Sequence, residues 1–180
     1  MSKKSLEDNI FSQFLAIDMC IEKGFLMPSL ILIYSGIDTL ASLNRTKEKE
    51  KVTRSDFKDW CNDYLIPGSN LNCSAKDLYA ARCGILHTST AVSDSSKKDE
   101  ASELIYYIGD ISDKQSKYQE IIDEKYPRKT IIINLENLEN LEKAYKNSYF
   151  SFAKELEGNK AKRKMVYERA EYYFVDSVPI

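Results

Sequence analysis

The chain has 180 residues, a hydrophobic content of 43%, a charged content of 30% and a formal net charge of −2 at pH 7. This length fits one domain with a substantial core, and the composition excludes a chain that is disordered throughout. The slight negative charge also excludes a broad nucleic-acid clamp that works through the field of the whole protein. A local nucleic-acid site remains compatible with it.

The N-terminal sequence MSKKSLEDN is polar, with acidic residues after its lysines, so we do not expect a signal peptide. The most apolar stretch, residues 25–34, covers ten positions, whereas a membrane helix needs roughly twenty. We therefore interpret it as part of a buried helix. The prediction is a soluble, cytoplasmic protein with no membrane partner.

The cysteines are Cys20, Cys61, Cys73 and Cys83, no two of them form a C-x-x-C pair, and the only histidine is His87. A zinc site would have to gather its ligands from distant elements. We therefore predict no metal and no cofactor. Free thiols also suit a reducing cytosol.

The first two predicted helices are the most apolar. Ser5 is a candidate N-cap for the first, which should end at Gly24. Pro28 suits the first turn of the second, which is apolar around most of its girth and should lie centrally. Asp38 is the exception on that helix, because a buried carboxylate must be paired or must reach water.

A charged linker at residues 45–54 leads to a third helix over residues 56–65, which either Thr53 or Ser55 can cap. A fourth helix is predicted over about 74–88. It carries the sole histidine of the chain.

The second half of the chain mixes element types. A charged loop is predicted at residues 93–103, and residues 104–109 and 130–135 should form two short strands that pair. Helices over about 135–157 and 159–175 follow. The predicted fold is a single domain spanning residues 1–180, mainly α, an up-and-down helical bundle with a minor two-stranded β element.

One pair of residues on the fourth helix is a candidate catalytic site. Arg82 precedes His87 with four residues between them, in the sequence LYAARCGILH at positions 78–87. This spacing, on a helix that follows two apolar helices and one with an aromatic stripe, resembles the R-x4–6-H motif of HEPN domains. The resemblance covers roughly residues 5–89. It departs from active HEPN nucleases at Cys83, because the residue after the arginine is usually polar there.

The resemblance implies a HEPN-like helical bundle and a metal-independent endoribonuclease. It also implies a homodimer whose cleft brings two arginines and two histidines into one composite site. The biological role that the resemblance implies is that of a toxin–antitoxin, mobile-element or phage-defence protein. The partners would then be an RNA substrate and an antitoxin or other regulatory protein.

The residue types suit RNA cleavage through the ribose 2′-hydroxyl. Imidazole exchanges protons near neutral pH, so His87 can take the hydroxyl proton or protonate the leaving oxygen. The permanent charge and fork of Arg82 suit phosphate oxygens as negative charge builds on them. Asp38 is a supporting candidate that orients Arg82, and Cys83 is a second supporting candidate.

Helix geometry raises an objection to this pair. Positions 82 and 87 are separated by about 140° around an ideal helix, so the side chains should point in different directions. The length of arginine covers part of that gap, and a second copy could close the rest. Ala80 and Gly84 form a small-residue strip where another backbone could approach, either from a second copy or from the same chain.

Other interpretations of the same residues stay open. His87 can be a helix C-terminal residue that interacts with the helix dipole, and Cys83 can be a packing residue. The basic run at residues 160–164 is a solvated face or an RNA contact. The alternative function is a catalytically inactive, dimeric helical module that binds RNA, a nucleotide or a partner protein.

Overall fold

The computed structural model describes residues 3–88, 101–108, 120, 122, 124, 130–134 and 140–173. These residues form a mainly α-helical domain with a small parallel sheet, which confirms the predicted fold class. The elements in chain order are α1 (Lys3–Glu22), α2 (Leu26–Asn44), α3 (Arg54–Trp60), a π-helical turn (Cys61–Leu65), α4 (Ala75–Thr88), β1 (Glu103–Tyr107), β2 (Thr130–Asn134), α5 (Leu141–Gly158) and α6 (Lys160–Tyr173).

Helix α1 begins at Lys3, before the predicted N-cap. Ser5 therefore lies inside the helix, and its prediction as a cap is wrong. The predicted stop is correct: Gly24 has φ of 70°, a left-handed conformation that glycine adopts without steric cost. This turn leads directly into α2.

Helix α2 is the centre of the fold, as its apolar sequence predicted. It contacts α1, α3, α4, α5 and α6, and Ile33, Tyr34 and Ile37 on it are fully buried. Among the described residues, α2 is the one helix long and apolar enough to cross a membrane by length and composition. Of the most apolar 18 residues of this helix, 56% are buried inside the fold, which is typical of a core helix.

A close approach between α2 and α5 depends on a glycine. A Cβ at Gly36 would overlap the Tyr145 hydroxyl, which donates a hydrogen bond to Gln13 Oε1 at 2.7 Å. Gln13 in turn donates to the Leu32 carbonyl of α2 at 3.0 Å. These bonds tie α1, α2 and α5 together through polar groups inside an apolar core.

The third helix starts two residues earlier than predicted and ends in a wider turn. Of the two candidate caps, Thr53 is the one used: its backbone N–H and its hydroxyl both donate to Asp56 Oδ2, at 2.7 and 2.6 Å. After Trp60 the backbone widens into the π-helical turn. Trp60 is fully buried, with its ring 4.5 Å from the Tyr64 ring and 4.8 Å from the Phe152 ring of α5.

Helix α4 lies within the predicted range and is capped at its start. Ser74 N–H donates to Asp77 Oδ2 at 2.9 Å, and Asp77 N–H donates back to Ser74 Oγ at 3.2 Å. Ala80 and Gly84 are both buried by their own chain. The small-residue strip therefore serves packing inside one chain, the second of the two uses that the sequence allowed.

The two predicted strands form and pair. They run parallel, with Leu104 opposite Ile131 and Tyr106 opposite Ile133. The buried hydroxyls of Tyr106 and Tyr34 lie 2.5 Å apart, which fastens β1 to α2. In the connection between the strands, Glu120, Ile122 and Glu124 are described, and each is helical.

The last two helices agree with the predicted order. Asn140 caps α5 by accepting a bond from Lys143 N–H at 2.6 Å, and Asn159 separates α5 from α6. Arg169 of α6 donates to the Leu43 carbonyl at 3.1 Å and so caps the end of α2. The predicted helical start at residues 135–139, the end beyond residue 173 and most of the loop at residues 93–103 lie outside the described residues.

Candidate functional site

The candidate site lies where α2 contacts α4, and Asp38 is the residue that α2 contributes. Asp38 lies one turn beyond the fully buried Tyr34 on α2, with 28% of its side chain exposed. A carboxylate in this position has lost much of its hydration and needs a charged partner. Arg82 of α4 supplies that partner.

Arg82 holds Asp38 through two hydrogen bonds. Its Nε and Nη2 donate to the same oxygen, Asp38 Oδ2, at 2.7 and 2.5 Å. The Arg82 side chain is 22% exposed, so the ion pair lies at the edge of the core. The two residues are on different helices, and their contact fixes the direction in which the guanidinium points.

His87 completes the cluster from the exposed last turn of α4. Its Nε2 lies 3.2 Å from Arg82 Nη1. The expectation that Arg82 and His87 point in different directions is therefore wrong for their functional groups. Five positions along an ideal helix separate the two Cβ atoms by about 140°, and the length of the arginine side chain covers that gap within one chain.

Burial acts on the pKa values of the two partners of this ion pair in opposite directions. Burial raises the pKa of the Asp38 carboxyl above its usual value, although the hydrogen bonds and charge of Arg82 act in the opposite direction. Burial alone would lower the pKa of Arg82, but its bonds to Asp38 outweigh that effect and raise it. A guanidinium stays protonated in proteins, so Arg82 keeps its positive charge opposite the Asp38 carboxylate.

Cys83 is half-buried beside this cluster and has a free thiol. Its interaction with the Arg82 guanidinium adds to the raised pKa of that arginine. The structure thus brings Asp38, Arg82, Cys83 and His87 together at one end of α4.

The basic run at the start of α6 is not part of this cluster. Lys162 Nζ bonds the Tyr64 hydroxyl at 2.7 Å and Glu155 Oε1 at 2.8 Å, so it joins α6 to the π-helical turn and to α5. The neighbouring Lys160 and Lys164 are exposed. Lys162 is therefore a structural residue, which the sequence did not distinguish from its neighbours.

Sequence reasoning missed the contact of Arg82 Nη1 with His87. No spacing rule indicates it, because it depends on the rotamer that Asp38 imposes on Arg82. The presence of an acidic residue in an apolar helix was the available signal. It pointed to Asp38 but not to the effect of Asp38 on His87.

No protein-family model matches the chain, and no curated protein and no solved structure matches it either. A function must therefore be inferred from the geometry of Asp38, Arg82 and His87. A fixed cation beside an exposed imidazole can bind a phosphate group and exchange a proton next to it.

Proposed function

We propose that this chain is a HEPN-like, metal-independent endoribonuclease that cleaves RNA by attack of the 2′-hydroxyl. The observation that carries the proposal is the 3.2 Å separation of Arg82 Nη1 and His87 Nε2. It puts an anion-binding group and a proton-transfer group within reach of one phosphodiester. A toxin or phage-defence role belongs to the same proposal.

In the proposed reaction, the imidazole of His87 takes the proton of the ribose 2′-hydroxyl. The 2′-oxygen then bonds to phosphorus, and the bond from phosphorus to the 5′-oxygen breaks. The leaving 5′-oxygen takes up a proton from water and His87 returns its proton to the solvent, and the other fragment ends in a 2′,3′-cyclic phosphate. Arg82 stabilises the negative charge that builds on the non-bridging oxygens.

Arg82 retains donors for this role. A guanidinium has five N–H groups, and the bonds to Asp38 and His87 use three of them. Because Asp38 engages Nε and Nη2, a phosphate oxygen can meet the guanidinium at Nη1, where it competes with His87. The partial exposure of Arg82 gives it access to solvent.

A second function, binding of RNA or a nucleotide without cleavage, has its own support. Cys83 occupies the position that is usually polar in active HEPN nucleases, and Arg82 occupies the Nε2 atom of His87. Such a module would bind phosphate through Arg82 and leave the phosphodiester intact.

The deciding experiment is RNA cleavage by the purified protein in EDTA. We expect cleavage of RNA but not of the matching DNA, which lacks the 2′-hydroxyl, and 5′ fragments that end in a cyclic phosphate. His87→Ala should slow cleavage by roughly two to four orders of magnitude. Equal turnover by wild type and His87→Ala would mean a contaminating nuclease and would leave the binding function.

A matched pair of arginine variants isolates the contribution of Arg82. Arg82→Lys keeps a positive charge but loses the fork, so we expect a large loss of cleavage. Arg54→Ala removes an exposed arginine of α3 whose guanidinium lies 5.3 Å from the centroid of the Tyr79 ring and takes no part in the ion pair with Asp38. It should leave cleavage unchanged.

A further inference from the structure

The hydrogen bond between Arg82 and His87 has only one chemically allowed direction. A guanidinium offers N–H donors and no acceptor. In the contact of Arg82 Nη1 with His87 Nε2, the imidazole nitrogen must therefore be the acceptor. It must carry a lone pair and no proton.

This direction determines where the proton of a neutral His87 lies. A neutral imidazole has one protonated and one unprotonated nitrogen. With Nε2 unprotonated, the proton is on Nδ1. The other neutral tautomer, or the imidazolium, would place an N–H of His87 against an N–H of Arg82.

We propose that Arg82 is a positioning residue that selects the tautomer of His87 and that a phosphate group releases this contact. The proposal rests on the proposed function for its catalytic meaning. It identifies Nε2 as the nitrogen that takes the proton of the attacking hydroxyl. It also assigns Arg82 a task besides charge stabilisation.

Asp38 makes the selection possible. Its Oδ2 engages Nε and Nη2 on one edge of the guanidinium, which leaves Nη1 on the other side to meet His87. Without the carboxylate, Arg82 could rotate about its side-chain bonds and lose that direction. Because Asp38 is anchored on the central helix α2, the packing of the core determines the direction of Arg82 and, through it, the state of His87.

Substrate arrival changes the partner of Nη1. A phosphate oxygen is a stronger acceptor for a guanidinium than a neutral imidazole, because the bond then joins opposite charges. When the oxygen takes the Nη1 donor, the lone pair of Nε2 is released beside the bound phosphodiester. The ligand class is thus a phosphodiester with an adjacent hydroxyl, and the base is freed only when that ligand is present.

The test uses the full-length chain labelled with ¹⁵N-histidine, since His87 is its only histidine and every imidazole signal belongs to it. Spectra at about pH 8, where imidazole is ordinarily neutral, should show a protonated Nδ1 and an unprotonated Nε2. Inorganic phosphate should shift the Nε2 signal in a saturable way. A protonated Nε2 in the free protein, or no response to phosphate, would overturn the proposal.

Variants distinguish selection of the His87 tautomer by Arg82 from selection by the backbone at the end of α4. Arg82→Ala, Arg82→Gln and Asp38→Ala should each give a mixture of the two tautomers, because none keeps a donor-only group held against Nε2, whereas Arg54→Ala should match the wild type. Wild-type tautomer populations in Arg82→Gln and Asp38→Ala would count against the proposal even if Arg82→Ala fails to fold. The spectra do not depend on cleavage, so the expected tautomer in a protein that cuts no RNA would refute only the nuclease.

Discussion

At the residue scale, the site shows how much can be predicted from one carboxylate in an apolar helix. Asp38 can be recognised as a site candidate in the sequence because it interrupts an apolar helix. Arg82 and His87 can be recognised because of the spacing between them. Their hydrogen-bond directions are not recognisable, because they depend on which edge of the guanidinium meets the carboxylate. That choice is made by the contact of α2 with α4, which no local pattern encodes.

Gly36 is a second residue whose role the sequence does not reveal. Its partner, Tyr145, lies on α5, far along the chain, and a glycine inside an apolar helix usually indicates only a weak position. The close approach becomes visible only when both helices are placed.

Gly36→Ala should destabilise the protein by about 1–3 kcal/mol, the usual cost of overpacking a core. The added methyl group would displace the buried Tyr145 hydroxyl from its bond to Gln13. The measurement is the midpoint of urea unfolding. Gly158→Ala is the matched control, because a Cβ there meets nothing within 4 Å, and it should be neutral or stabilising by up to about 1 kcal/mol.

At the scale of elements, the strands were predictable and their direction was not. Residues rich in β-branched and aromatic side chains indicated two strands, but hydrophobic pattern is the same for parallel and antiparallel partners. The direction depends on the connection between them. The π-helical turn was equally hidden, since the apolar residues of the third helix continue through it at helical spacing.

The hydroxyl pair of Tyr34 and Tyr106 fastens β1 to the central helix and should behave as a unit. Tyr34→Phe or Tyr106→Phe alone leaves a buried hydroxyl without its partner, at a cost of about 1–3 kcal/mol. The double variant removes both hydroxyls and should cost no more than one single variant. Additive losses of unfolding free energy in a double-mutant cycle would contradict the coupling.

Asp77 links the start of α4 to the start of β1. Burial tends to raise its pKa, but bonds from Ser74 and Ser102 lower the pKa below the usual value of 3.8. Its stabilising contribution is therefore present above about pH 4 and is lost as the pH falls through its lowered pKa. The Ser102 N–H bond to Oδ1, at 2.6 Å, is the connection to β1.

Asp77→Asn should lower the free energy of unfolding at pH 7 by about 1–2 kcal/mol, the usual value of a helix cap. Its amide group would place N–H donors where the second carboxylate oxygen now accepts. The difference from wild type should shrink toward pH 3. A pH-independent difference in urea unfolding would show that the charge of Asp77 is not what stabilises this junction.

At the scale of the whole molecule, we propose a homodimer with α4 at or near the interface. Ala80 and Gly84 are buried by their own chain, so a second copy would meet the half-buried or exposed side chains of Cys83, Leu86 and His87. Sedimentation equilibrium should give twice the 20.7 kDa chain mass at micromolar concentration. A monomer there would rule out a composite site but not the contact of Asp38, Arg82 and His87 within one chain.

The position of Trp60 also makes the fold easy to follow optically. It is the sole tryptophan of the chain, and it is fully buried among Tyr64 and Phe152, where the π-helical turn meets α5. Its fluorescence spectrum therefore reports a single location, the contact between the two halves of the chain. Agreement between this emission and far-ultraviolet circular dichroism during unfolding would indicate that both halves melt as one cooperative body.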